Sequence, residues 1–173
     1  MASRKIVQAP QSVLRQKAKR VRAIDGSIRD LVQDLIDSMP PHGVGLAAPQ
    51  IGVPLRVAIV RLPDDDEPTV LINPKVVRRE GEREIEEGCL SLEGYQGLIT
   101  RSEKVRVRAT RLDGKTVRLK AADDLRAQAL EHEIDHLDGV LFVDHLVSED
   151  RLVRLDDEDL TEPAIQQSPS PDS

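Results

Sequence analysis

Aromatic side chains are almost absent from this chain of 173 residues, which has one Tyr, one Phe and no Trp. With only Tyr95 and Phe142 available, the core must be built from Leu, Val, Ile and Ala, and base stacking is excluded as a binding mode. Cysteine occurs once, as Cys89, so no internal disulfide can form and a reducing, cytoplasmic compartment is expected. No apolar run approaches the roughly 20 residues that span a bilayer, and the N-terminus lacks the continuous apolar stretch of a secretory signal. No membrane association is expected. Positive charge is not in excess: 25 Lys and Arg against 31 Asp and Glu leave a formal net charge of −6. A specific nucleic-acid partner is therefore not expected.

The length fits one domain with a real core. We expect a single catalytic domain over 1–155, followed by a disordered acidic tail over 156–173 with little to bury. Residues 1–22 read as basic and irregular, with Val13-Leu14 able to tuck against the core. Ile24, Ile28, Leu31 and Leu35 then recur at helical spacing, widened by Val32, Ile36 and Met39, until Pro40-Pro41 ends the helix. Val57–Val60 and Val70–Ile72 read as strands, the second ended by Asn73-Pro74, with Val76-Val77 continuing in extended form. Residues 78–87 read as charged and solvated, with Ile85 the one side chain able to turn inward. Residues 104–109 and 117–119 alternate about an Asp113-Gly114 turn, the pattern of a hairpin with one wet face.

Three stretches carry chemistry. In His132-Glu133-Ile134-Asp135-His136, two histidines four residues apart share one face of an expected helix. They can direct two imidazoles at one Zn, Fe, Co or Ni ion, with Glu133 beside a bound water. That helix should begin near Asp123 as N-cap and end before Gly139. Hydrolytic sites usually have three protein ligands plus water. The third could be the Cys89 thiolate in Glu87-Gly88-Cys89-Leu90-Ser91, or a Glu, Asp or His elsewhere. The third stretch, Gly43-Val44-Gly45-Leu46-Ala47-Ala48-Pro49-Gln50, suggests backbone packed close to something, and lacks the Lys-Ser/Thr of a phosphate loop. His42 and His145 read as structural or surface histidines.

Together, in this order and spacing, the three stretches resemble the peptide deformylase family, over about residues 10–146. The resemblance implies an α+β fold with antiparallel sheets packed around a central helix that carries the His132–His136 motif. It implies hydrolysis of the N-formyl group of N-formylmethionyl nascent peptides, at the ribosome, by a cytoplasmic monomer. Cys89, His132 and His136 match the family's metal ligands, and Glu133 its catalytic glutamate. Gln50 matches the glutamine that contacts the formyl oxygen, and Leu90 the residue giving the backbone donor beside it. Gly43, Val44 and Gly45 would form the cleft wall. The usual ion is Fe²⁺, which Zn²⁺, Ni²⁺ or Co²⁺ can replace. Three positions depart from the family pattern: Glu93 stands where proline is usual, Gln96 where an arginine is common near the cleft mouth, and Glu131 where glutamine usually precedes the first histidine. Glu93 and Gln96 are expected to line substrate entry. The alternatives are a divergent amide hydrolase or peptidase with the same chemistry, and a silent, metal-stabilised binding protein. Activity on formyl-Met peptides but not on internal peptide bonds separates the first. An exchangeable metal-bound water separates the second.

Overall fold

The computed structural model describes residues 2–122, 124–155 and 165–167. Its frame is two antiparallel sheets around a nearly enclosed helix. The first sheet contains β1 (Gly45–Ala47), β2 (Val57–Val60), β3 (Thr69–Glu80), β6 (Lys104–Thr110) and β7 (Thr116–Ala122), in the order β1-β2-β3-β6-β7. The second contains β4 (Arg83–Gly88), β5 (Tyr95–Arg101), β8 (Leu152–Arg154) and β9 (Ile165–Gln167), in the order β8-β5-β4-β9. The α+β class expected from the sequence is the class observed.

Helix α1 spans Gly26–Ser38 and helix α2 spans Leu125–Leu137. The helical pattern beginning at Ile24 starts two residues before α1, because Asp25 caps it by accepting from the Ser27 and Ile28 amides. The cap of α2 is Asp124, which accepts from the Ala127 N–H at 2.8 Å; Asp123 lies outside the described residues. Gly139 follows the Asp138 C-cap with φ +75°, and a Cβ there would meet the Arg15 carbonyl oxygen at 2.6 Å. Both facts favour glycine at that corner.

Strand alternation divides the first sheet into two apolar faces. Val57, Ile59, Leu46 and Ile72 pack with Ile28, Leu31, Val32 and Leu35 of α1. Ala47, Ala58, Val60 and Leu71 face the other way, toward Leu130, Ile134 and Leu137 of α2, and Val105, Val107 and Ala109 extend that face. A third cluster joins Ile99, Phe142 and Cys89 beneath the second sheet. The core is almost wholly aliphatic, as the composition requires.

Two expectations are corrected here. β3 does not stop at Asn73-Pro74. It passes through as a bulge, with register slipping between Ile72↔Thr110 and Lys75↔Arg108. Asn73 takes φ +48°, and its side chain both accepts from the Val21 N–H and donates to the Val21 carbonyl, each at 2.8 Å. A bulge accommodates a proline that cannot donate to the ladder. Residues 83–88 form strand β4, and within the stretch expected to be solvated, Glu87 is fully buried while Glu84 is exposed. Within the stretch expected to be a tail, Ile165–Gln167 pairs with β4, while 156–164 and 168–173 lie outside the described residues. Among the described residues, no helix is long and apolar enough to cross a membrane.

Candidate metal centre

Helix α2 is buried on nearly every side, and much of what it buries is polar: Gln128, Glu131, His132, Glu133 and His136. One turn of helix brings His132 and His136 together, with ring centroids 4.8 Å apart and their Nε2 atoms 3.1 Å apart. Cys89 follows β4, so its Sγ reaches the same point, 3.2 Å from His136 Nε2. The three ligand atoms lie within 4.8 Å of one another, and all three side chains are buried. Burial, and then the neighbouring His132, push His136 well below its ordinary pKa, favouring the neutral form that ligates metals.

His132 is fixed from behind. Its Nδ1 is 2.7 Å from Glu87 Oε2, a contact in which the ring donates and Nε2 is left to face Cys89 and His136. Glu87 has no exposed surface, yet it stays ionised. Burial opposes the charge, but Arg101 and His132 outweigh it and hold the carboxyl at about 2. Arg101 donates to both Glu87 oxygens, at 3.1 and 2.6 Å, and to Asp135 Oδ2 at 2.6 Å. Gln128 adds a bond to Glu87 at 3.2 Å, and His145 closes the chain on Asp135 at 2.9 Å. Glu87, Arg101 and Gln128 were given no role in the sequence reading. The signal for Glu87 was present: Ile85, Glu87 and Cys89 alternate, so an inward Ile85 brings Glu87 in with it.

Glu133 is the opposite case. It is buried, and its Oε2 has no hydrogen-bond partner among the described residues. Burial, with Glu87 and Asp135 nearby and offset only in part by His132, pushes its carboxyl up to about 7. Its Oε1 lies 4.0 Å from His132 Nε2. The wall facing it is Gly45, where a Cβ would meet that oxygen at 2.6 Å; only a bare backbone leaves room for the carboxylate. A small pocket in front of Cys89 and His132 is bounded by Val44, Gly45, Gln50, Leu90 and Glu133.

Gln50 is buried rather than at the surface. Its Oε1 accepts from the Ala47 N–H at 2.9 Å, which turns the amide NH₂ toward Ser91 Oγ, at 3.1 Å, and Cys89 Sγ, at 3.7 Å. The Leu90 carbonyl is held by Gln8 Nε2 at 2.8 Å, whereas its N–H has no partner among the described residues. Gln8 also accepts from the Glu93 N–H, Val7 donates to the Gln50 carbonyl and Ala9 to that of Ser91. The N-terminal segment, which the sequence reading left irregular, thus pins both walls of the pocket.

The remaining expected residues lie apart from the pocket. Gly43 packs on Met39 and Pro40. Glu93 is exposed on the turn after Ser91. Gln96 does not reach the mouth: β5 places it opposite Gly88, buried, with its amide on Glu86 Oε2 at 2.6 Å. Glu131 accepts from the Ser102 N–H and hydroxyl and from Arg79, so it anchors α2 to the turn after β5.

One thiolate and two imidazoles converging beside an unpaired buried carboxylate are the makings of a metal-dependent hydrolase. The comparisons name the family. The model of the polypeptide deformylase family matches residues 3–152. A peptide deformylase of Dehalococcoides mccartyi is 51% identical over 160 residues, 92% of this chain and 95% of that protein. One of Thermomicrobium roseum is 45% identical, covering 92% and 94%. Among solved structures, a peptide deformylase from Legionella pneumophila superposes with a TM-score of 0.82 at 45% identity, covering 87% of this chain and 89% of that one. Another, from Thermotoga maritima, gives 0.80 at 31% identity, covering 86% and 100%. The chain belongs to the polypeptide deformylase family. It is a hydrolase that removes the N-formyl group of formylmethionyl nascent peptides, in a family whose members depend on a metal ion.

Proposed function

We propose that Cys89, His132 and His136 hold the metal, that Glu133 moves the protons of the reaction, and that Gln50 and the Leu90 N–H bind the formyl oxygen. The observation that carries this reading is the convergence of Sγ and two Nε2 atoms beside Glu133, whose Oε2 is buried without a partner. These residues fit a metal, since buried donors with no other purpose are the feature that a cation explains.

When bound, the ion supplies Lewis acidity, making a water acidic near neutral pH and polarising the formyl carbonyl. The protein does the rest. Glu133, with a carboxyl at about 7, can take a proton at the operating pH and give it back. It accepts one from water as the new C–O bond forms, then delivers it to the amine as the C–N bond breaks, leaving formate and a free N-terminus. The Gln50 NH₂ and the unpaired Leu90 N–H are donors poised for the oxygen that becomes negative between these steps. One such donor is worth about 3 kcal/mol. Glu87 holds the tautomer of His132, and Arg101 holds Glu87. Val44 and Gly45 form a close wall.

The ion in the cell is Fe²⁺, which Ni²⁺, Co²⁺ or Zn²⁺ can replace; a single thiolate with two imidazoles accepts all four. The enzyme acts as a cytoplasmic monomer on chains emerging at the ribosome. Elemental analysis of the wild type and of Cys89→Ala tests the ligand set: metal should be lost in the variant, and unchanged stoichiometry refutes the assignment. Anaerobic loading with each ion tests the metal. Fe²⁺ should give the fastest turnover of a formyl peptide and lose it in air, and equal or faster turnover with Zn²⁺ goes against iron.

A further inference from the structure

The net charge that argued against nucleic acid is unevenly spread. Residues 156–173 hold six of the 31 acidic residues and no Lys or Arg, so 25 acids and 25 bases balance over 1–155. Within that balanced part, one face of the first sheet is strongly basic. The side of the sheet that α1 covers over β1, β2 and the start of β3 continues uncovered past the Asn73-Pro74 bulge, over the rest of β3 and the facing parts of β6 and β7. Cross-strand register fixes what it presents. Lys75, Arg108 and Arg118 stand opposite one another in one row, and Arg78, Arg106 and Lys120 in the next. All six are exposed. The rows are about 7 Å apart along the strands, and the strands about 5 Å apart across them.

Like charges directly opposed across a ladder destabilise a sheet, and here four neighbouring pairs are cationic. Only Arg78 has an ion-pair partner among the described residues, Glu80 at 2.5 Å. The spacing lies within a Debye length at physiological salt, so the six charges act as one field. Arg20 extends the patch past Asn73, where it lines a surface hollow with Arg108 and Arg118. The face has no aromatic side chain to stack on a base, and Val77 is its one strongly exposed large apolar residue, so it has no wedge for a lipid surface.

We propose that this face docks the phosphate backbone of double-stranded RNA. A flat grid of Arg and Lys without base-reading or stacking groups suits recognition by shape and phosphate across a wide, shallow groove. B-DNA, whose readable groove takes an inserted helix or ribbon, suits a flat face less well. A nascent peptide is joined through tRNA to an RNA-rich machine, which brings such a partner within reach; the choice of RNA rests on that substrate, the phosphate-binding face does not. The face lies on the side of the sheet away from α2, so docking leaves the metal centre open.

The test is fluorescence anisotropy with a 16-base-pair RNA duplex of arbitrary sequence and the full-length protein. We expect micromolar binding at 50 mM salt, with log K falling against log [salt] at a slope of about −4 to −6. Arg106→Glu/Arg108→Glu places two carboxylates between cations, so its Tm should hold or rise. RNA affinity should fall at least about 10²-fold, and the slope should shrink by about 2 or more. Arg151→Glu/Arg154→Glu, with the same charge change at exposed sites on β8 of the other sheet and the turn before it, should lose less than about fivefold. Turnover of a soluble formyl peptide should match wild type in both, which separates failure here from failure of the catalytic reading. No binding at 50 mM salt, or equal loss in both variants, overturns the face. Binding to polyglutamate, to a peptide of residues 156–173, or to phosphatidylserine vesicles as tight as to RNA overturns the partner.

Discussion

The two helices have the same length and each is capped by an aspartate, yet they are held by opposite means. Helix α1 buries Ile28, Leu31, Val32 and Leu35 on one stripe, adds only Asp34 and Ser38, which bond to the N-terminal segment, and leaves Arg29, Asp30 and Asp37 exposed. Its stability comes from apolar area. Helix α2 buries ten of its thirteen residues, and five of those ten are polar. It is held by hydrogen bonds and ion pairs to Glu87, Arg101 and Ser102 as much as by Leu130, Ile134 and Leu137. The difference shows where function enters a fold. A helix that only supports can be amphipathic. One that must keep two imidazoles and a carboxylate dry has to be surrounded, and its buried polar groups then need partners. Among the described residues, two buried side-chain atoms of α2 keep no hydrogen-bond partner, His136 Nδ1 and the Glu133 Oε2 oxygen.

The largest separation between the helices should come at that oxygen. Glu133→Gln keeps size and hydrogen-bonding shape but cannot take a proton. In metal-loaded protein it should lower kcat by about 10²–10⁴-fold while leaving metal content and Tm near wild type. Turnover within a few-fold of wild type would remove Glu133 from the chemistry.

Next comes the ion pair behind the ligand. Arg101 and Glu87 are both buried, so Arg101→Met leaves a carboxylate without its cation. Breaking such a pair costs about 3–5 kcal/mol. The variant should lose both stability and metal affinity, because Glu87 then no longer holds His132. Arg101→Lys restores charge without the two-pronged contact and should recover only part of each. A variant that loses stability but binds metal normally would limit the pair to a structural role.

Leu35→Ala probes the other means of support. Leu35 is fully buried in the α1 cluster, so truncation should cost about 2–5 kcal/mol, read by urea unfolding. The fraction that stays folded should turn over formyl peptide at the wild-type rate, since the α1 cluster lies across β1 and β2 from the metal centre. A drop in kcat for folded protein would mean that the two helices are not independent.

The sequence made α1 legible through its stripe and the centre of α2 through the His132–His136 motif, each by a different signal. Apolar periodicity says little about α2, because polar residues occupy its buried positions. Arg101 was not legible at all. Strand register puts it opposite Arg83, four residues along the ladder from the Glu87–Gly97 pair, so its contacts with Glu87 and Asp135 depend on the reach of the guanidinium and on how α2 packs against β4 and β5. Charge in 78–87 read as solvent-facing because charge usually is; the alternation of Ile85, Glu87 and Cys89 was the overlooked clue. Gln96 fell where a strand pairing, not the local motif, decides its direction. The same limit applies to the basic face. Six cations on three strands are separate residues in the chain, and only register sets them side by side.

The smallest effect compares the caps. Asp124 satisfies one otherwise orphaned donor at the start of α2, the Ala127 N–H, and it contacts none of the metal ligands. Asp124→Ala should destabilise by about 1 kcal/mol, a fall in Tm of about 2–4 °C for a chain of this size. Catalysis should not follow. The part of α2 that carries the centre is fixed independently, by Glu131 on Ser102, His132 on Glu87 and Asp135 on Arg101. Fraying of the first turn therefore stops before it reaches His132. If kcat/KM falls more than tenfold in Asp124→Ala while Tm moves only by the expected few degrees, the first turn and the metal centre move together, and the bonds at Glu131, His132 and Asp135 do not isolate the site as argued.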